Sequence, residues 1–287
     1  LDNLDVLAGI SMGAVLMGSI YWFFGFLRMG TTGLVAQARG SNQNVEVSSI
    51  LLRGLIIAGI GGIGLITIHY MLFSAIFYFL GGNVSAEKFA MQYMSIRVLA
   101  APFAISMFVF VGWLFGMGKT FHSLCLLLAV NVLNILLDII FVKFLYLGIA
   151  GVAYATIVAE FFGFALGVYL CREYLFDKEK VKGRAIFLSN KWRSFILLNV
   201  DIVIRSTLLQ SVFLSYLILA TLFGSEILAA NHILLQITSL AVYALDGVAF
   251  SSEILVGEAI GQRRNKLFKK VVYSALKIGL IFSSVIG

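Results

Sequence analysis

The chain has 287 residues, of which 61% are hydrophobic and only 12% charged, with a mean hydropathy of +1.01. A water-soluble domain carries about 25% charged residues, so a soluble enzyme or binding module is excluded and an all-α, polytopic membrane bundle is expected. The net charge of +7 lies in short basic blocks between apolar segments, the pattern of positive cytoplasmic loops and not of nucleic-acid binding.

The N-terminus has no basic region and no starting Met, so no cleavable signal is visible and the chain reads as beginning mid-protein. Apolar segments long enough to span a bilayer follow at residues 6–38, 54–80 and 92–118, the last carrying Pro102. Residues 121–147 and 148–171 form a hairpin with almost no loop. A charged linker at 172–191 separates them from spans at 192–224 and 226–261 and from an eighth, incomplete span that begins at residue 271. The organisation expected is an N-lobe over 1–171, a cytoplasmic linker over 172–191, and the start of a C-lobe over 192–287.

Alternating the loops collects most lysines and arginines on one side, at Arg39–Arg53, Lys119, Arg172–Arg193 and Arg263–Lys270, which makes that side cytoplasmic. The first span then enters from outside, as it would if one helix preceded it. A repeat points the same way. At an offset of 221 residues Asp5 lies on Glu226, and Leu34-Val-Ala-Gln-Ala-Arg-Gly40 on Leu255-Val-Gly-Glu-Ala-Ile-Gly261 without a gap. Both copies run in one direction, so the repeat is parallel, as in transporters whose halves are related by an axis along the membrane normal.

Chemistry concentrates in the hairpin. Asn131, Asn134 and Asp138 recur at i, i+3 and i+7, placing two amides and a carboxylate on one helix face inside an apolar run. A charge at such depth costs about 3 kcal/mol or more unless it is paired, hydrated or protonated, so Asp138 marks an ion or proton path; a buried acid that ties helices together is the blander reading. Counting from Leu147, Asp138 and Thr156 share a level roughly 14 Å below the turn, with Asn134 and Glu160 one turn deeper. Such hard oxygens suit Na⁺ or a proton. Asp201 and Arg205, at i and i+4, read as an intrahelical pair. Asp246 and Glu253 share a face opposite Arg28 on the repeat partner, as either a gate salt bridge or a simple staple.

Cys125 and Cys171 lack metal-ligand spacing and read as reduced packing residues. His69, His122 and His232 read as packing or interfacial. Gly118-Lys119-Thr120 has neither the upstream glycine nor the strand of a phosphate loop. With no nucleophile–base pair and no metal spacing, no enzyme and no cofactor are expected.

Several stretches together resemble the multidrug and toxic compound extrusion (MATE) family, nearest its DinF-like bacterial branch. They are Phe26-Leu-Arg-Met-Gly-Thr-Thr-Gly-Leu-Val-Ala-Gln-Ala38, Asn134-x-x-x-Asp138, Gly151-Val-Ala-Tyr-Ala-Thr156, Asn199-Val-Asp-Ile-Val-Ile-Arg205 and Ala244-Leu-Asp-Gly-Val-Ala249. The resemblance implies a twelve-helix, two-lobed monomer in the bacterial inner membrane that exports organic cations or amphipathic drugs in exchange for H⁺ or Na⁺. It implies a coupling site at Asn134, Asp138 and Thr156, completed in the family by an Asp on a first helix that has no counterpart here. On this resemblance the chain covers helices two through eight and part of nine, and alone is not expected to transport. The alternative is a lipid-linked saccharide flippase of the same superfamily, which would need several cations in its cleft; the spans offer only Arg28, Arg97, Lys143 and Arg205, mostly near helix ends. A receptor or channel fits the repeat and the buried acids less well.

Overall fold

The computed structural model describes residues 4–80, 84–177, 179–221 and 225–286; the side chains of Arg184, Glu226 and His232 are among those outside the described residues. Every element described is helical. The first span is α1 (Leu4–Trp22) and α2 (Phe26–Gly40), joined by a 3₁₀ turn at Phe23–Gly25. The second is α3 (Asn44–Leu80). The third is α4 (Val84–Arg97) and α5 (Ala101–Gly116), joined by a 3₁₀ turn at Val98–Ala100. α6 (Thr120–Asp138) runs into a π-helical stretch, Ile139–Phe144, and α7 is Gly148–Leu170. Short helices α8 (Arg172–Leu175) and α9 (Gly183–Ile186) lie in the linker, followed by α10 (Ser189–Thr221), α11 (Ser225–Gly261) and α12 (Asn265–Ile286). Six of these bodies are long and apolar enough to cross a membrane. The chain is a multi-pass membrane helix bundle.

The break in the third span has a covalent cause. Pro102 sits in the first turn of α5, has no N–H to give, and its ring would clash with the carbonyl four residues back, at Val98. The helix tightens into the 3₁₀ turn there. Gly62 of α3 makes room for the kink, since a Cβ on it would lie 2.4 Å from Pro102 N. The first span breaks at Gly25, among the packed rings of Phe23, Phe24 and Phe26.

The core lies where α5 is wrapped by α2, α3 and α7, with Trp113, Phe110, Leu114 and Ile105 fully buried. Small residues allow the close approach that lipid-embedded helices need. A Cβ on Gly112 would lie 2.4 Å from the Arg28 carbonyl oxygen, and one on Gly116 2.7 Å from that of Thr32. By contrast α6 is mostly exposed and presents Leu124, Leu128, Val132 and Ile135 outward, the face a helix turns to lipid.

Two expectations need correction. The second span begins at Asn44, not near residue 54, so Arg53 is a helical residue and not a loop charge. It is almost wholly buried, donating to the carbonyls of Ile186 (2.9 Å) and Ala185 (2.7 Å) and to Glu46 (3.0 Å), so it holds the linker against α3. Cys171 is buried as a packing residue, but Cys125 is exposed on α6.

The two halves meet where α2 packs on α11. A Cβ on Gly40 would lie 2.4 Å from the Glu258 carbonyl oxygen, and one on Gly261 would strike that of Gln37. The 221-residue shift carries Gly40 onto Gly261 and Gln37 onto Glu258, so these two contacts are symmetry equivalents. The same shift carries Ala36 onto Gly257, and those two touch each other, a Cβ on Gly257 lying 2.8 Å from Ala36 Cβ. That contact marks the pseudo-two-fold axis. Contacts along the seam progress in step on both helices, from Gly33–Glu253 to Gln37–Gly261, so the repeat is parallel.

Candidate functional site

The α6–α7 hairpin brings amide and hydroxyl together. Asn134 Nδ2 donates to Thr156 Oγ1 at 3.2 Å, and Thr156 donates to the Val152 carbonyl at 3.1 Å. The expected pairing of levels was Asp138 with Thr156, and it is displaced by one helical turn. The π-helical stretch contributes to this shift, where Leu145 N bonds Ile140 O and Leu147 N bonds Phe141 O. More residues per turn mean less rise per residue, so α6 spends extra residues before the chain reverses. Positive φ at Tyr146 (53°) and Gly148 (56°) then completes the reversal.

Asp138 ends the regular part of α6, four residues after Asn134 and on the same face. Its Oδ1 is buried with no hydrogen-bond partner among the described residues. Asn134 uses its Nδ2 on Thr156, which leaves its carbonyl oxygen as an acceptor. With Asp138 one turn along α6 from Asn134, an orphaned carboxylate oxygen, an amide oxygen and a hydroxyl occupy neighbouring turns, a donor set of the kind that takes Na⁺ or a proton. Asn131 is exposed and donates back to the Leu127 carbonyl at 2.9 Å, so it does not join this cluster.

Glu160 does not stand level with Asn134. It pairs with Arg97, Nη2 to Oε1 at 3.2 Å, and both side chains are mostly buried (16% and 12% exposed). Arg97 also donates to Tyr93 Oη at 3.3 Å and faces the Tyr21 ring at 5.6 Å, while Tyr21 Oη reaches the Arg97 carbonyl at 3.4 Å. Arg97 thus lies mid-span as the last residue of α4, where the third span breaks before α5.

The remaining charges depart from their expected pairings. Arg28 lies over the Phe250 ring at 4.1 Å and forms no ion pair with Asp246 or Glu253 within 4.0 Å. Glu253 packs against Gly33. Asp201 and Arg205 are both exposed and unpaired with each other; Arg205 Nη2 points to Met29 Sδ at 3.7 Å. The ion pair that does cross the seam is Arg39–Glu258, with Gln262 donating to the same carboxylate at 3.0 Å.

The MatE family model matches residues 4–140 and 202–287. The chain belongs to the MatE family. Among curated relatives, this family member is similar to DNA damage-inducible protein F of Escherichia coli strain K12, at 32% identity over 99% of the chain and 63% of the relative. It is also similar to a probable multidrug resistance protein NorM of Thermotoga maritima, at 24% identity over 96% of the chain and 61% of the relative. It therefore spans a little under two thirds of the length of the relatives it matches. Of solved structures, a MATE in the bent conformation superposes with a TM-score of 0.87 at 22% identity, covering 99% of this chain and 64% of that one. An outward-facing multidrug resistance MATE family transporter superposes with a TM-score of 0.82, also at 22% identity, over 99% and 63%.

Three residues of this MatE chain escaped the sequence reading: Arg97 as a buried partner, and Tyr21 and Tyr93 around it. The available signal was a lone arginine in the middle of an apolar window, five residues before the proline that breaks it. Arg39 with Glu258 was a weaker signal, since each sits beside a loop and reads there as a solvated charge.

Proposed function

We propose that this chain forms the ion-coupling lobe and the inter-lobe seam of an antiporter. It would export organic cations or amphipathic drugs, in exchange for H⁺ or Na⁺, from a bacterial inner membrane. The observation that carries the reading is the buried, unpartnered Oδ1 of Asp138 beside the Asn134–Thr156 pair. An intramembrane acid without a partner is costly to keep charged, so a bound cation or a proton relieves it. Neutralising it changes what α6 and α7 prefer to pack against, and a lobe packed on its twin mainly through the glycine-lined α2–α11 seam can rock about that seam. The names of the multidrug relatives support the substrate class.

The test uses Asp138→Asn, nearly isosteric and permanently neutral. Na⁺ or a drop in pH should raise the melting temperature of the wild-type chain, because a ligand that binds only the folded state stabilises it. The Asn variant should melt normally and show no such response. In proteoliposomes of the complete transporter the same change should abolish gradient-driven drug efflux. Wild-type coupling in the variant would end the case for Asp138.

A further inference from the structure

A cleft of ≈ 380 Å³ opens within the first lobe, lined by Tyr21, Arg28, Phe108, Leu127, Asn131 and Glu160, among others. Glu160 is the one carboxylate among its described lining residues. Its Oε1 is taken by Arg97, which reaches it from outside that lining, while its Oε2 is buried and has no partner. A carboxylate that served only as a staple would have both oxygens satisfied, since an orphaned buried acceptor costs free energy. Here half of the acid is held and half is unsatisfied beneath the wall of the cleft, so a ligand reaches it by turning the carboxylate.

The arginine has somewhere to go. Its Nη1 is already on Tyr93 Oη at 3.3 Å, and the rings of Tyr21 and Tyr93 face the guanidinium at 5.6 Å and 6.0 Å. Losing Glu160 would leave its Nη1 on Tyr93 and the guanidinium against two aromatic faces, an arrangement that tolerates a cation, while its Nε is buried without a partner in either state. Arg28 lines the same cleft but is stacked on Phe250 of the second lobe, so a positive group entering is turned from Arg28 toward Glu160. The rest of the lining, Tyr21, Phe108 and Leu127, suits an apolar body.

We propose that Arg97 is a tethered counter-cation for Glu160, and that this carboxylate seats the positive end of an amphipathic organic cation, which displaces the guanidinium onto Tyr21 and Tyr93. The ligand class rests on the efflux reading above; the competition between an internal and an external cation does not depend on Asp138.

The experiment measures equilibrium binding of tetraphenylphosphonium to the purified 287-residue chain in lipid nanodiscs. Glu160→Gln should weaken binding roughly tenfold, and Arg97→Gln should tighten it roughly tenfold, because one charge-assisted hydrogen bond no longer has to be displaced. The double variant should behave as Glu160→Gln. Opposite signs are the point: a structural ion pair moves both single variants the same way, or moves neither, while lowering both melting temperatures. Either of those results overturns the proposal, and so does a wild-type chain that fails to bind the probe. If Arg97→Gln does not fold, Arg97→Lys keeps the charge but loses the planar fork and should tighten binding by a smaller factor; unchanged or weaker binding there is equally decisive. Asp138→Asn, run beside them, separates the two readings. If it keeps its Na⁺ or pH response, the coupling assignment fails while the Arg97 and Glu160 signs still stand.

Discussion

Asn134, Thr156 and Asp138 do different work, and their substitutions should rank accordingly. Asn134→Ala and Thr156→Ala each remove one partner of a single 3.2 Å hydrogen bond, so each should weaken cation binding by about 1 kcal/mol, read as the shift in the Na⁺ midpoint of a thermal titration. Asp138→Asn removes the only group of the three that can change charge, and should eliminate the titration and not merely shift it. If the acid were a helix tie alone, the order would reverse, with the Asn variant mildest. Glu160 belongs to a different local arrangement, since its charge is already answered by Arg97 whereas Asp138 has no such partner.

At the scale of elements, breaks and anchors matter more than helix lengths. Pro102 and Gly25 interrupt two spans, and Tyr21, in the last turn of α1, and Arg97, the last residue of α4, contact each other. Two helices that tighten into 3₁₀ turns beside the Arg97–Glu160 pair have the local geometry of a hinge within the lobe. The linker is held differently. Arg53 satisfies the carbonyls of Ala185 and Ile186 from inside α3, and Lys191 approaches the same Glu46 at 3.6 Å. Arg53→Met leaves Glu46 to Lys191 and strips both carbonyls, a loss of roughly 3 kcal/mol by the measure of broken buried ion pairs. Trypsin should then cut the linker at Lys180 and Lys182 much faster than in the wild-type chain, with little change in the helices. Unchanged cleavage would mean that the linker is held by other contacts.

At the scale of the molecule, the halves are described in contact through α2 and α11, at the end that carries Arg39, Arg263 and Arg264. The glycines there let two backbones approach, and Arg39–Glu258 adds one ion pair across the seam. In the antiporter proposed above, rocking of the lobes would part these surfaces. Ala36→Cys with Gly257→Cys, in a background of Cys125→Ala and Cys171→Ala, should therefore cross-link on oxidation. The 2.8 Å between their Cβ positions is shorter than the roughly 3.5–4.5 Å of a disulfide, so a slight separation suffices. After trypsin cuts the linker, the two fragments should stay joined until reduced. Fragments that separate without reductant would place the axis elsewhere.

The sequence alone determined the features that depend on composition along the chain. Apolar length marked the spans, Lys and Arg marked one face, and an ungapped register placed Gly40 on Gly261 and made the repeat parallel. Those signals are local or periodic, so they survive without knowledge of packing. Only the tertiary structure decided which polar groups meet. The π-helical stretch after Asp138 changed the rise of α6 and helped move Thr156 from Asp138 to Asn134. Arg97 took Glu160 because Pro102 ends α4 where it does and α7 passes beside that break. Arg28 stacked on Phe250, with Glu253 and Asp246 close enough to attract it but not in ion-pair contact. Partner choice depends on depth and on rotation about each helix axis together, and one irregular turn changes both, whereas the hydropathy of the segment stays the same.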